Sequence, residues 1–190
     1  KITESNDYCS VAQNVKDAHI CYIDSLDNDF IYYLHLLLDS VFGRLIVCDN
    51  TVSNGKINGL TSIKTLKEFP VAVVPSDIQN AASKLDQTIG YILEIFKEEE
   101  DIQFIESARS FMFELRDDFV LEIYANELFE ANGIDIVNSF VSIIKDSEDT
   151  DLKALAPKIL DSVTNPDSAL LSNMRRLRVL IGNIVHNLEQ

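Results

Sequence analysis

The sequence is poor in residues that interrupt regular structure, with only 6 glycines and 4 prolines among its 190 residues. That scarcity argues against a loop-rich β-sandwich, in which turn residues recur every few positions. Leu, Ile, Asp, Glu and Lys dominate instead, and this mixture favours helices. The length fits one domain, or at most two small ones, and is sufficient to bury most of the apolar surface without disulfides or metal. An all-α fold is therefore expected.

Positive charge is also scarce, since 16 Lys and Arg residues face 31 Asp and Glu residues and the net charge is −15 at pH 7. Phosphate groups are repelled by an acidic surface, so nucleic-acid binding is not expected, and insertion into anionic membranes is disfavoured for the same reason. A basic protein or peptide partner would fit this charge. The alternative interpretation is that the acidic surface serves solubility alone.

Cysteine is infrequent, with Cys9, Cys21 and Cys48 in the whole chain. An odd count permits either one bridge, of which Cys9–Cys21 is the candidate, or three reduced thiols, and reduced buried cysteines are the favoured interpretation. The sequence contains no Asn-x-Ser/Thr acceptor for glycosylation. A cytoplasmic location is thereby slightly favoured over secretion. Because the chain begins at Lys1 rather than Met, we expect a processed protein or a fragment of a longer one.

Motifs of catalysis and metal binding are missing from the sequence. The three histidines, His19, His35 and His186, lie far apart and have no partner at zinc-ligand spacing. The acidic clusters at residues 24–29 and 146–151 lack the glycine and the glutamate that an EF-hand loop requires. Neither a phosphate-binding loop nor a GxSxG nucleophile elbow is present. The sequence therefore predicts a non-enzymatic protein without catalytic residues, cofactor or metal.

Residues 1–69 are predicted to form an N-terminal helical segment. Apolar residues recur at helical spacing within residues 11–23, and the stretch FIYYLHLLLDSVFGRLIV at 30–47 is apolar nearly all round. That pattern is typical of a buried core helix, and the stretch is short for a membrane span. Two Asn-Gly pairs within residues 49–59 predict a loop, with a small hairpin as the alternative. The two prolines of PVAVVP, residues 70–75, predict an extended connector.

Residues 76–190 are predicted to be helical and to pack with the N-terminal segment as one domain. Ser76 and Gln79 form a capping box, and apolar residues then follow at alternating intervals of four and three. The Asn132–Gly133 pair predicts a helix C-terminus, and Pro157 predicts a kink within a helix. Further helices are predicted at residues 102–116, 119–131 and 134–145, and from about residues 149 and 165. The last of them is predicted to face inward along a second seam with the same alternating intervals, formed by Leu170, Met174, Leu177, Ile181, Ile184 and Leu188.

The stretch FVLEIYANELFEANGIDIVNSFVSIIKDSEDTDLKALAPKILDSVTNP reads as short helix, glycine break, apolar helix, acidic turn and long helix. Its length of about 47 residues lies within the range of armadillo and HEAT units. The stretch resembles an armadillo repeat, and the resemblance extends at most over residues 76–190. The matching residues are Gly133-Ile134, Ile143-Ile144, residues 147–149, Ala154, Ala156, Leu160 and Val163. An irregular helical bundle is the alternative architecture.

The resemblance implies a protein-protein interaction domain that presents the third helices of its repeats to a partner. Residues at the corresponding positions are Glu114, Asp118, Ser162 and Asn187, which become the candidate partner contacts. Armadillo families usually have asparagine in the third helix. Ser162 stands there in the complete unit, and Glu114 in the preceding one, so standard peptide-groove binding does not follow.

Two further functions stay open, together with the role of the basic patch MRRLR at residues 174–178. The chain could be a secreted or viral effector that sequesters a host protein, for which a Cys9–Cys21 bridge would be a sign. It could also carry a small ligand or lipid in a cavity. The residues expected to line such a cavity are Phe30, Leu34, Leu38 and Phe42. The basic patch either pairs with acidic residues of neighbouring helices or contacts an acidic partner.

Overall fold

The structure, a computed structural model, describes residues 2–5, 20–23, 28–49, 52–53, 56–57, 68–95, 102–146 and 151–188. Within these ranges the chain forms eight α-helices, and the predicted all-α fold class is confirmed. The helices are α1 (Asn28–Asp39), α2 (Val41–Asp49), α3 (Ser76–Ile95), α4 (Ile102–Tyr124), α5 (Asn126–Ala131), α6 (Ile136–Lys145), α7 (Leu152–Thr164) and α8 (Ala169–Leu188).

Four short strands precede α3 and differ from the predictions for the N-terminal segment. β1 (Ile2–Ser5) pairs antiparallel with β2 (Ile20–Ile23). β2 lies within residues 11–23, where helical spacing had predicted a helix. β3 (Val52–Ser53) pairs antiparallel with β4 (Lys56–Ile57), so the hairpin forms within the predicted loop. The rest of the predicted N-terminal helix lies outside the described residues. So does Cys9, and only the backbone of Cys21 is described, which leaves the bridge a prediction.

The single helix predicted for residues 30–47 is wrong, because the chain bends by 75° at Ser40 between α1 and α2. The Ser40 hydroxyl donates to the Leu37 carbonyl oxygen at 2.7 Å and accepts from the Gly43 amide at 3.0 Å. A serine side chain that bonds to nearby backbone in this way competes with the helical hydrogen bonds. No single described helix is long and apolar enough to span a membrane. The bent α1–α2 pair, taken together, has the required length and composition.

The hydrophobic core is built around α3, which contacts α1, α4, α6 and α7. The predicted apolar seam of this helix is buried at Ala82, Leu85, Ile89 and Ile92. Helix α1 packs closely on α3, so both parts of the chain contribute to one core. Two tyrosines hold the backbone of the connector at residues 70–75. The Tyr33 hydroxyl donates to the Ala72 carbonyl oxygen at 2.8 Å, and the Tyr124 hydroxyl donates to the Pro70 carbonyl oxygen at 2.6 Å.

Helix α4 is continuous from Ile102 to Tyr124, although two separate helices were predicted on either side of Asp117 and Asp118. Both aspartates have partners that make them compatible with a helix interior. Asp117 accepts from the Val41 backbone amide at 3.0 Å and pairs with Arg116 at 3.1 Å, and Asp118 pairs with Arg178 at 3.2 Å. The break falls instead at Ala125, between α4 and α5.

The helices of the C-terminal part begin and end close to the predicted positions. Gly133 has φ +60° after α5, which confirms the predicted glycine C-terminus, and Asp135 caps α6 by accepting from the Asn138 amide at 3.1 Å. Pro157 lies inside α7, which continues past it as one helix. The last helix begins at Ala169 rather than near residue 165, and the Ser168 hydroxyl oxygen faces the Leu171 amide at 3.5 Å.

Substituting alanine for Gly133 is expected to lower the free energy of unfolding by about 1–2 kcal/mol, because a Cβ is disfavoured at positive φ. The new Cβ would also lie 3.2 Å from the Arg176 guanidinium. Gly90→Ala in α3 is the matched control, since its Cβ would meet nothing within 4 Å. That variant is expected to gain about 0.5–1 kcal/mol from helix propensity. Urea unfolding followed by circular dichroism measures both, and equal stability of Gly133→Ala and wild type would contradict the left-handed turn.

Candidate protein-interaction site

Two of the four predicted partner contacts, Glu114 and Asp118, meet at one arginine. They lie one turn apart on α4, and each accepts from Nη2 of Arg178 at 3.2 Å. Asp118 is only 6% exposed, and burial raises the pKa of its carboxyl to about 6 despite the adjacent Arg178. A partner could reach Glu114, but the Asp118 carboxylate is committed to the contact between α4 and α8.

The other two predicted contacts do not join this pair in the described part of the chain. The Ser162 hydroxyl donates to the Lys158 carbonyl oxygen of its own helix at 2.8 Å. Asn187 lies in the last turn of α8, where the structure describes the backbone and not the side chain. A common surface of Glu114, Asp118, Ser162 and Asn187 therefore stays a prediction.

The basic patch of α8 divides into three arginines with different surroundings. Arg178 pairs with the two acids of α4, and Arg176 donates from Nη2 to the Asn132 carbonyl oxygen at 3.1 Å. The Arg175 side chain is exposed and makes no hydrogen bond or ion pair with any described residue. Intramolecular pairing thus accounts for Arg178, while Arg175 keeps a guanidinium available to another molecule.

Helix α8 buries only the first part of its predicted apolar seam. Leu170, Met174 and Leu177 lie in the core, whereas Ile181 and Ile184, predicted to face inward, are exposed. Sequence spacing identifies the face of a helix, but the neighbouring helices decide how far along the helix that face is covered. The second half of α8 therefore leaves apolar surface in contact with solvent.

The outward face of α8 forms one wall of a groove of about 430 Å³, which we call the α8 groove. Helical spacing explains the shared face, because side chains at i, i+3, i+4, i+7, i+8 and i+11 lie along one side of a helix. The turn after α5 and the turn before α8 supply the remaining lining. The lining residues are Ser172, Arg175, Arg176, Val179, Leu180 and Asn183 of α8, with Asn132, Ile134 and Pro166.

The α8 groove differs in charge from the rest of this acidic protein. Among the described residues, two arginines and no carboxylate line it, although the whole chain has 31 acidic residues. Three other cavities in the described part each include at least one carboxylate, from Asp39 and Asp86, from Glu122, or from Glu127. The groove therefore combines apolar surface with local positive charge, a combination found at protein interfaces, where arginine is enriched.

Hydrogen bonds fix α8 relative to the other elements that form the α8 groove. The side-chain amide of Asn173 donates to the Asp135 carbonyl at 2.9 Å and to the Ser139 hydroxyl at 3.1 Å, which ties α8 to α6. The Arg176 contact with the Asn132 carbonyl ties α8 to the turn that contains Gly133. A surface fixed before a ligand arrives loses less conformational entropy on binding.

Another cavity, of about 400 Å³, is lined by His35 and Asp86, which form a histidine-carboxylate pair. His35 Nδ1 lies 2.8 and 2.9 Å from the two carboxylate oxygens of Asp86, and this hydrogen bond raises the pKa of His35. Buried Arg116 pairs with Asp39 beside it. Among the described residues that line this cavity there is no serine, threonine or cysteine that the pair could activate as a nucleophile.

The described residues form no site that fits a metal ion or the predicted ligand cavity. They contain no group of three His, Cys, Asp or Glu residues placed to hold a metal ion. His19 and most of both acidic clusters lie outside the described ranges. The four residues expected to line a ligand cavity, Phe30, Leu34, Leu38 and Phe42, pack in or against the core, and none lines a cavity described above.

No protein-family model, no curated protein and no solved structure matches this chain. The resemblance to an armadillo repeat therefore stays a prediction. Its complete unit begins at Phe119 and therefore includes the end of α4 together with α5, α6 and α7, while its acidic turn at residues 147–149 lies outside the described ranges. Helix α3 contacts four other helices. Both the central helix of a bundle and a helix between two layers of a repeat array make such contacts, so they are compatible with either architecture.

Proposed function

We propose that this chain is a non-enzymatic protein-interaction domain that binds a partner protein through the α8 groove. The observation that carries the proposal is the exposed Arg175, whose side chain has no partner among the described residues, beside exposed Val179 on a groove whose described lining contains no carboxylate. Arginine next to an aliphatic wall supplies both burial and directional hydrogen bonds, which together characterise the residues that dominate binding energy.

The position of the α8 groove also supports an interaction role. Val179 is 65% exposed and Leu180 is partly buried, so a partner would remove apolar surface from water along this wall. Burial of apolar area contributes about 25 cal/mol per Å². The α6–α8 hydrogen bonds keep the wall rigid, so that a larger share of this energy is available for binding.

The proposal replaces the four contacts suggested by the armadillo resemblance with a different face of the chain. Glu114 and Asp118 are paired to Arg178, and α8 itself supplies most of the new surface. In the described part, the His35–Asp86 pair has no serine, threonine or cysteine in its cavity, which supports a role without catalysis.

Site-specific photo-cross-linking tests this function with a matched control on another face. A photo-reactive amino acid is introduced in place of Val179, which is 65% exposed, or in place of Leu45 on α2, which is 63% exposed. The expected result is a discrete heteromeric adduct from position 179 and none from position 45, because only position 179 lines the α8 groove. The addition of Arg175→Gln is expected to weaken the adduct.

Three results would count against the proposed site. Equal adducts from both positions would show non-specific contact with exposed apolar residues. Absence of an adduct at position 179, with an adduct at position 45, would move the interaction to α2. A product of twice the mass of the 21.4 kDa chain would show that the α8 groove joins two copies of this protein rather than a partner.

A further inference from the structure

We infer that the α8 groove recognises an extended acidic segment in which a carboxylate side chain lies next to an aliphatic one. This inference rests on the proposed function and names the class of its partner. It reverses the expectation from net charge, by which a basic partner would fit the chain. The local lining of a groove, rather than the total charge, decides which groups are desolvated on binding.

Arg175 supplies the charge-selective part of the α8 groove. Its guanidinium makes no hydrogen bond or ion pair with a described residue, so its N–H donors are available. A planar guanidinium binds a carboxylate through two parallel hydrogen bonds, and such charge-assisted pairs are stronger than neutral ones. A lysine or arginine of a basic partner at the same position would be repelled by Arg175 and would find no carboxylate in the lining.

Arg176 contributes a second positive charge whose position is fixed. One of its terminal nitrogens donates to the Asn132 carbonyl oxygen, and the rest of the guanidinium remains on the groove lining. Arg175 and Arg176 are consecutive in α8, so they project about 100° apart around the helix. The two arginines therefore place positive charge at different points of the groove rather than at one shared point.

The apolar lining selects aliphatic side chains beside the carboxylate. Ile134, Pro166, Val179 and Leu180 form this part, and none of the lining residues is aromatic. Asn183 also lines the groove and makes no hydrogen bond to a described residue. Its amide can both donate to and accept from a peptide backbone, which suits an extended segment.

The net charge of −15 sets the conditions under which this preference is measured. Acidic residues elsewhere on the chain repel an acidic ligand at long range. At about 0.15 M salt the screening length is about 8 Å, so carboxylates farther than this from the α8 groove contribute little. Arg175 and Arg176 are the charged side chains of the described lining.

An array of short peptides tests the inference on the full chain at about 0.15 M salt. The peptides carry varied aliphatic residues, and the positions beside these residues hold Glu, Gln or Lys. We expect the Glu class to bind about tenfold more tightly than the matched Gln class, and the Lys class to bind least. Arg175→Gln is expected to reduce the difference between Glu and Gln severalfold, whereas Arg44→Gln, the same change at an exposed position of α2, is expected to preserve it.

The same array separates failure of the inference from failure of the proposed function. Equal binding of all three classes, weakened by Val179→Ser, would overturn the acidic preference and leave the α8 groove as the binding site. Glu-class binding that Val179→Ser and Arg175→Gln both leave unchanged would place the site elsewhere and overturn both. Absence of binding by any class would also overturn both. Unfolding curves of the variants, all at exposed positions, verify that each one is folded.

Discussion

The free energy of unfolding is expected to fall as the pH rises from about 5 to about 8, by roughly 3 kcal/mol from Glu122 alone. Glu122 is 4% exposed, and burial raises the pKa of its carboxyl from 4.5 to about 7. Its folded form therefore binds a proton more tightly than its unfolded form does. Stability from this group is fully present below the unfolded pKa and is lost as the pH rises through the folded pKa.

Two further groups change stability in the same direction. Burial raises the pKa of Asp118 from 3.8 to about 6, and the Asp86 hydrogen bond raises the pKa of His35. Each stabilises the fold more at low pH than at high pH within its own titration range. Denaturant unfolding at a series of pH values measures the total, and stability that is constant or increases from pH 5 to pH 8 would contradict these environments.

Glu122→Gln isolates the largest part of this pH dependence. The Glu122 carboxylate accepts from the Ile136 and Val137 amides at 2.7 and 3.0 Å, at the N-terminus of α6. Glutamine keeps an oxygen acceptor for both amides, and its nitrogen can turn to the adjacent cavity beside Asn126 and Asn138. We expect the variant to match wild type near pH 5 and to be more stable near pH 8, because it has no buried charge to desolvate.

Arg116→Ala is expected to lower the free energy of unfolding by about 1–3 kcal/mol, because a buried side chain is lost and two partly exposed carboxylates lose their partner. The Arg116 side chain is 3% exposed, pairs with Asp39 of α1, and bonds Asp117 at 3.1 Å. Its guanidinium also lies 4.8 Å from the centre of the Phe113 ring. Loss of the side chain would leave a cavity between α1 and α4 as well as unpaired carboxylates.

Arg109→Ala is the matched control for the effect of burial. Arg109 lies over the same Phe113 ring at 5.2 Å, but it is an exposed residue of α4. Its removal is expected to cost less than about 1 kcal/mol, the range of an exposed cation–π contact. Urea unfolding measures the free energy of unfolding of both variants. Equal losses would show that the contact with the Phe113 ring, rather than the ion pairs of the buried guanidinium, accounts for the contribution of Arg116.

Sequence patterns predicted those elements whose cause is local. The seam of α3 was predicted from its spacing, and the end of α5 from Asn132 and Gly133, because helical periodicity and left-handed backbone depend on few neighbouring residues. The 75° bend at Ser40 was missed, since the apolar pattern continues through it and the break depends on a serine side chain that bonds to the backbone.

The candidate site depended on contacts between residues distant in sequence and was therefore only partly predictable. Arg178 and Asp118 are 60 positions apart, and their pairing removed one predicted partner contact from the surface. The MRRLR patch indicated two possible roles, and the structure shows the intramolecular pairing for Arg178, whereas contact of Arg175 with an acidic partner stays a proposal. That Ile134 and Pro166 close a groove against α8 follows from helix packing, which no local pattern encodes.

Amide chemical-shift mapping of the isotope-labelled protein tests whether the α8 groove binds the partner, with the tightest Glu-class peptide of the array as the probe. We expect the largest shifts at residues 132–134, at residues 165 and 167 on either side of Pro166, and along residues 172–183, and we expect Arg175→Gln to weaken them. Largest shifts at Glu114 and Ser162, or around His35 and Asp86, would contradict binding at the α8 groove.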